Sequence, residues 1–143
     1  MAGIHSKLAV ITLDTVGGTP TDISTYCNAI EIPREMEEID VTTFGATFKD
    51  FIPGFAEATV TIGGPWTRAL DNHMSPIFAG FQAETVSSVT LVYGPEGSTS
   101  GDVKYTCELR CLNYSGPKAD IGNALEWDSE WRVTGAGITV STY

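Results

Sequence analysis

Nucleophilic catalysis needs a serine or cysteine beside a base, and the chain carries two histidines to serve as that base, His5 and His73. His5 falls in an N-terminal stretch expected to fray. His73 falls on a predicted helix with no local signature around it. The three cysteines, Cys27, Cys107 and Cys111, are an odd set, so no complete disulfide framework is possible. On one strand Cys107 and Cys111 would share a face about 13 Å apart, too far for a bridge. They have no neighbouring histidine to complete a metal site. All three are expected to be buried thiols in a reducing compartment.

Carboxylates stand close together at Glu35, Glu37, Glu38 and Asp40, and again at Glu126, Asp128 and Glu130. Acid chemistry of the glycosidase kind needs one such group dehydrated so that its pKa rises. Acids at alternate positions read instead as the solvated face of a strand. Gly17-Gly18 lacks the lysine and following helix of a phosphate loop, and Gly94-Pro95-Glu96-Gly97 reads as a turn between strands. The expectation is a protein with no catalytic residue, no metal and no cofactor.

The whole chain agrees with that. Its 143 residues make one expected domain, 1–143, with 42% hydrophobic residues, 15 glycines and 7 prolines. Eighteen acids against eight bases give a net charge of -10, and the bases are scattered. Gripping a nucleic acid relies on cations replacing counterions along the phosphates, and a membrane anchor of the polybasic kind needs a cationic cluster, so neither is expected. The apolar stretch from Leu8 to Leu13 is much shorter than the ~20 residues of a membrane span and has no cleavage site behind it. Use without export is expected.

The elements that would position these residues have mostly a period of two. Strands are expected over Leu8 to Leu13, Ile23 to Ile32, Glu35 to Phe44, Glu57 to Ile62, Val86 to Tyr93, Gly101 to Tyr114, Ala124 to Val133 and Ile138 to Thr142. Gly, Pro, Ser and Asn punctuate them, and Pro53-Gly54 reads as a turn inside a loop over 45–54. One segment breaks the period. Leu70, Met74, Ile77, Phe78 and Phe81 fall at helical spacing, which predicts an amphipathic helix from Arg68 to Phe81. Pro76 either kinks it or opens a second short helix capped by Ser75. The class is mainly β: a β-sandwich or partial barrel with one α-helix packed on it.

Two features are left over. Trp127, Ser129 and Trp131 share a strand face opposite Glu126, Asp128, Glu130 and Arg132, and Glu38 with Asp40 and Glu57 with Thr59 split the same way. Solubility explains such a wall, and so does an anionic surface with a job. Second, Phe44, Phe48, Phe51, Phe55 and Ile52 crowd a loop of thirteen residues with one base and one acid. It either folds back on the core or marks a docking surface.

Glu38-Ile39-Asp40-Val41-Thr42-Thr43-Phe44-Gly45, Phe51-Ile52-Pro53-Gly54-Phe55, Ala58-Thr59-Val60-Thr61-Ile62-Gly63-Gly64 and the closing Trp127, Trp131, Thr134-Gly135 and Ile138-Thr139 occur in an order that resembles the tail tube proteins of long-tailed bacteriophages. The resemblance runs from about Tyr26 to Thr139. It implies a structural subunit of six-membered rings that stack into a hollow tube, each subunit lending strands to the wall of the channel through which DNA leaves the virion. It also implies assembly in the host cytoplasm, transient passage of DNA without specific binding, and partners among the tail tip or baseplate, tape measure and tail terminator proteins, with no membrane insertion. On that footing Glu38, Asp40, Glu57, Glu126, Asp128 and Glu130 are expected to face the lumen. Phe44, Phe48, Phe51, Ile52 and Pro53 are expected at contacts between subunits or rings. The alternatives are a β-barrel holding a small apolar ligand between Trp66, Trp127 and Trp131, and a baseplate or capsid accessory protein whose rings never stack.

Overall fold

A computed structural model describes residues 6–143, apart from the side chains of Ser6 and Ala136, and His5 lies outside the described residues. After a 3-10 turn at Ser6–Leu8 the order is β1 (Val10–Asp14), β2 (Pro20–Asp22), a 3-10 turn at Ser24–Tyr26, β3 (Ala29–Glu31), β4 (Arg34–Asp40), β5 (Phe51–Pro65), α1 (Arg68–Gln82), β6 (Val89–Gly94), β7 (Val103–Lys118) and β8 (Glu126–Thr142). The strands are antiparallel and run β2-β1-β6-β7-β8-β5-β3, with β4 paired to β5 beyond the end of β3. Residues 23–28 join β2 at one end of that order to β3 at the other. The Ile23 N–H donates to the Ile11 carbonyl at 2.9 Å and the Asn28 N–H to that of Gly63 at 2.9 Å. So short a link pinned to both sides curls the sheet into a partial barrel, within the expected mainly-β class with one helix.

Alternation builds the inner face. Leu13, Leu91, Leu109, Val60, Ile62, Trp127 and Trp131 are buried together with Leu70, Met74 and Ile77 of α1. The helix is continuous, so neither a second short helix nor a break at Pro76 occurs. Thr67 caps it by accepting from the Leu70 N–H at 3.2 Å, and Pro76 forgoes a single backbone hydrogen bond.

Three expectations change. Ile23 to Ile32 is not one strand: Ile23 turns wholly into the core, and the Ser24 hydroxyl accepts from the Ile11 N–H at 2.8 Å, which breaks the segment into a turn between two short strands. Gly64 lets this turn sit on β5, because a Cβ there would collide with the Tyr26 carbonyl. The two strands expected at the C-terminus are one, since Gly135 (φ 72) and Gly137 (φ 82) absorb an irregularity without ending pairing. Pro53-Gly54 is no turn; both lie inside β5.

Candidate self-assembly surface

The first half of β5 leaves the curled sheet and pairs only with β4, so that residues 34–58 project as a two-stranded arm closed by a loop over 41–50. Its base is clasped: the Asp40 carboxylate accepts from the Thr42 N–H at 2.8 Å, the Thr42 hydroxyl accepts from the Asp50 N–H at 2.8 Å, and the Val41 N–H donates to the Asp50 carbonyl at 3.0 Å. The Thr42 hydrogen bonds hold the Asp40 carboxyl below its ordinary pKa. The apolar loop does not fold back. Phe44, Phe48 and Phe55 are almost wholly exposed, and Met36, Ile39, Val41, Phe51 and Ile52 are at least two-fifths exposed.

Register decides which arm residues share a side. Met36 faces Ala56 and Glu38 faces Pro53, so β5 holds two residues, 54 and 55, where β4 holds Glu37 alone. This bulge shifts the alternation. Arg34, Met36, Glu38, Asp40, Phe51, Pro53, Ala56 and Ala58 take the side continuous with the core face. Glu35, Ile39, Ile52 and Glu57 take the other, and a Cβ on Gly54 would lie 3.1 Å from Glu37 Cβ and from Ile39 Cδ1 on that side.

The second feature is the sheet face opposite the core. Glu126, Asp128 and Glu130 alternate there with the buried Trp127, Ser129 and Trp131, and Glu57 joins them through its ion pair with Arg132 at 3.5 Å. Glu130, Thr61 and Glu31 follow one another across three strands. Glu108 extends the wall on β7, where the Thr90 hydroxyl donates to it at 2.5 Å. Lys118, bonded to Asp128, and Arg110 interleave with these acids. Of the six acids expected to act together, the structure gathers Glu57, Glu126, Asp128 and Glu130 on one face. It sets Glu38 and Asp40 on the opposite side of the arm, because they fall in step with Arg34 and Met36 of β4 and out of step with Glu35, which pairs with Glu57. Glu31 and Glu108 escaped the sequence reading; their alternation with Ile30 and Ile32, and with Cys107 and Leu109, was the available signal.

The remaining chemistry-bearing groups are spent on packing. Trp127 Nε1 donates to the Tyr26 carbonyl at 2.9 Å, and Trp131 Nε1 to Ser129 Oγ at 2.8 Å. Trp66 Nε1 donates to the Tyr114 hydroxyl at 3.1 Å, which donates to Asp71 of α1 at 2.9 Å. The two core tryptophans are thus held in the hydrophobic core. Cys107 is buried and Cys27 and Cys111 half-buried, all free, so full burial of all three was too strong an expectation. Burial pushes the Cys27 thiol up to about 12 and those of Cys107 and Cys111 up to about 11, away from any nucleophilic use. Burial holds His73 low, although a hydrogen bond to the Asp14 backbone and the Asp14 charge pull the other way. Among the described residues no three His, Cys, Asp or Glu converge as a metal-binding group.

No family model matches the chain, and no curated protein matches it. Solved structures do. One is a chain of the virion of a native gene transfer agent particle, at 14% identity over 98% of this chain and 100% of that one, with a TM-score of 0.72. Another is the SPP1 tail tube, at 7% identity over 99% of this chain and 80% of that one, TM-score 0.72. A third is the sheath/tube terminator of the extracellular contractile injection system PVC, at 9% identity over 99% of both chains, TM-score 0.76. This chain, over nearly all its length, has the tail-tube fold.

Proposed function

We propose that this protein is a structural subunit of a phage-type tail tube, without catalysis: six-membered rings stack into a hollow tube that conducts DNA out of a virion. The observation that carries the reading is the projecting arm, whose Phe44, Phe48 and Phe55 find almost no burial within the chain that makes them. Water-exposed apolar surface of this extent on a projecting element calls for a partner. A neighbour in the ring or in the next ring supplies it, with Phe44, Phe48, Phe51, Ile52 and Pro53 in the contact.

A gene transfer agent tail solved with C6 symmetry shares the fold at 18% identity and a TM-score of 0.65, which supports six-fold rings here. In this reading Glu57, Glu126, Asp128 and Glu130, with Glu31 and Glu108, line the bore. A carboxylate wall gives passing phosphates no cation to exchange for their counterions, so the DNA does not stick. Glu38 and Asp40, on the side of β4 away from Glu35 and its partner Glu57, belong to the arm's contact side. Tail tip or baseplate, tape measure and terminator proteins would meet the tube at its ends and along its length, in a tail assembled in the host cytoplasm.

Sedimentation velocity and negative-stain imaging of the concentrated protein test this. Rings or tubes about one ring wide are expected. A species that stays monomeric at every concentration overturns the reading.

A further inference from the structure

The two ends of the β7–β8 hairpin carry matching features that the isolated subunit leaves unused. At one end residues 119–125 join the strands, with Asp120 as their only charge. The Asn123 N–H donates to the Asp120 carbonyl at 3.1 Å, and Gly122 at φ 88 suits the third position of a type II turn. Ile121 stands at the corner of that turn and is wholly exposed. The Asp120 carboxylate beside it has no ionic or hydrogen-bond partner among the described residues.

At the other end Ile30, Ile32, Tyr93, Tyr105 and Ile138 line a niche of about 210 Å³, with Arg34 at its rim. Tyr93 and Tyr105 face each other across β6 and β7, and their rings stack at 6.3 Å. The Arg34 guanidinium lies over the Tyr105 ring at 5.9 Å, a contact that positions it without engaging its N–H donors. Arg34 is exposed, and its side chain has no ionic or hydrogen-bond partner among the described residues, in a chain of eighteen acids and eight bases. A guanidinium fork at the mouth of an apolar niche suits a carboxylate carried next to an aliphatic side chain.

We infer that the niche is a socket for the turn of another copy: Ile121 enters it, and the Asp120 carboxylate meets the Arg34 guanidinium. This rests on the tube reading and names a contact between successive rings. Charge and placement select the occupant. The other exposed apolar tip, the loop over 41–50, carries Lys49, and its Asp50 carboxylate already accepts from the Phe51 N–H at 2.9 Å. That loop also stands at the far end of a strand that begins at Arg34. The turn cannot reach the socket of its own chain, because Tyr105 and Lys118 are thirteen residues apart on β7, about 40 Å of strand. A plug at one end of the hairpin and a socket at the other make a heterologous contact, which propagates along an axis.

Charge exchange tests this. Arg34→Glu and Asp120→Arg are each expected to keep the far-UV spectrum and thermal transition of the parent, and to give single rings in negative stain where the parent gives tubes. The double variant Arg34→Glu/Asp120→Arg is expected to regain the tubes. Sites so far apart in one chain act independently, so rescue requires that they meet between copies, which a role within the subunit does not produce. Ile121→Ser should need at least about a tenfold higher concentration for half-stacking. Single variants that form tubes like the parent, or a double variant no better than either single one, overturn the socket and leave the tube reading intact. If Arg34→Glu loses its fold, the guanidinium serves its own subunit and the socket assignment falls; Ile121→Ser stacking at the parent's concentration overturns the plug. A parent chain that forms neither rings nor tubes overturns the tube reading itself.

Discussion

Phe51 separates a docking element from a core element. Its ring is 56% exposed. Of the roughly 200 Å² an aromatic side chain can bury, about 110 Å² is therefore still available to a neighbour. At ~25 cal/mol per Å² that area is worth up to about 3 kcal/mol once a second copy covers it, on the order of 100-fold in the affinity of each contact. The same area contributes nothing to the isolated chain. The covered remainder of the side chain, roughly 90 Å², bounds what the isolated chain loses, so Phe51→Ser should cost the monomer no more than about 2 kcal/mol in a urea melt. Sedimentation velocity over a concentration series should show half-assembly displaced on the order of 100-fold. A loss well above that bound in the monomer, or assembly at the parent's concentration, would refute the reasoning.

Tyr114→Phe removes the hydroxyl that joins Trp66 to Asp71 and so ties α1 to the sheet; a loss of about 1–2 kcal/mol in the urea melt is expected, with assembly of the folded fraction unchanged. His73 is held low by burial, so its stabilising contribution is full above its unfolded pKa near 6.5 and is lost as pH falls through the lower folded value. His73→Gln should flatten the stability profile on the acid side of 6.5, and an unchanged slope would show that other groups set it. With thiols raised to about 11 and 12, native protein at pH 8 should react with a disulfide reagent on the order of 100-fold more slowly than urea-unfolded protein.

What could be read from the sequence was what repeats locally. Leu70, Met74 and Ile77 mark α1 because each turns onto one stripe, and Trp127 and Trp131 mark a strand because the acids between them cannot be buried beside them. The exposure of the phenylalanine arm was legible only as a choice between two outcomes. Three features depend on partners distant in sequence. Ile23 looks like any strand residue until Ile11 claims its N–H. Pro53-Gly54 has the composition of a turn, and it becomes strand because its proline sits on an edge that needs no donor. The side taken by Phe51 and Pro53 follows from the extra residue of the bulge at 54 and 55, which is fixed by the pairing with β4 and which β5's own alternation cannot reveal.

A two-stranded ribbon is marginal in water unless something covers one of its faces. Residues 34–58 form such a ribbon, and their contacts with the rest of the chain are confined to its base. Ordering an arm residue costs about 1–2 kcal/mol of backbone entropy, and in the isolated subunit little burial offsets it. On the tube reading, the offset arrives when a neighbour covers the phenylalanines. Arm order and assembly are therefore linked: a first contact between two free copies bears the ordering cost of both surfaces. A copy joining a growing end meets a partner whose arm is already held. That difference makes starting a tube slower than lengthening one. Turbidity traces should accordingly show a lag that pre-formed ring fragments abolish, and lag-free assembly of seedless protein would mean that the arm is rigid before it docks.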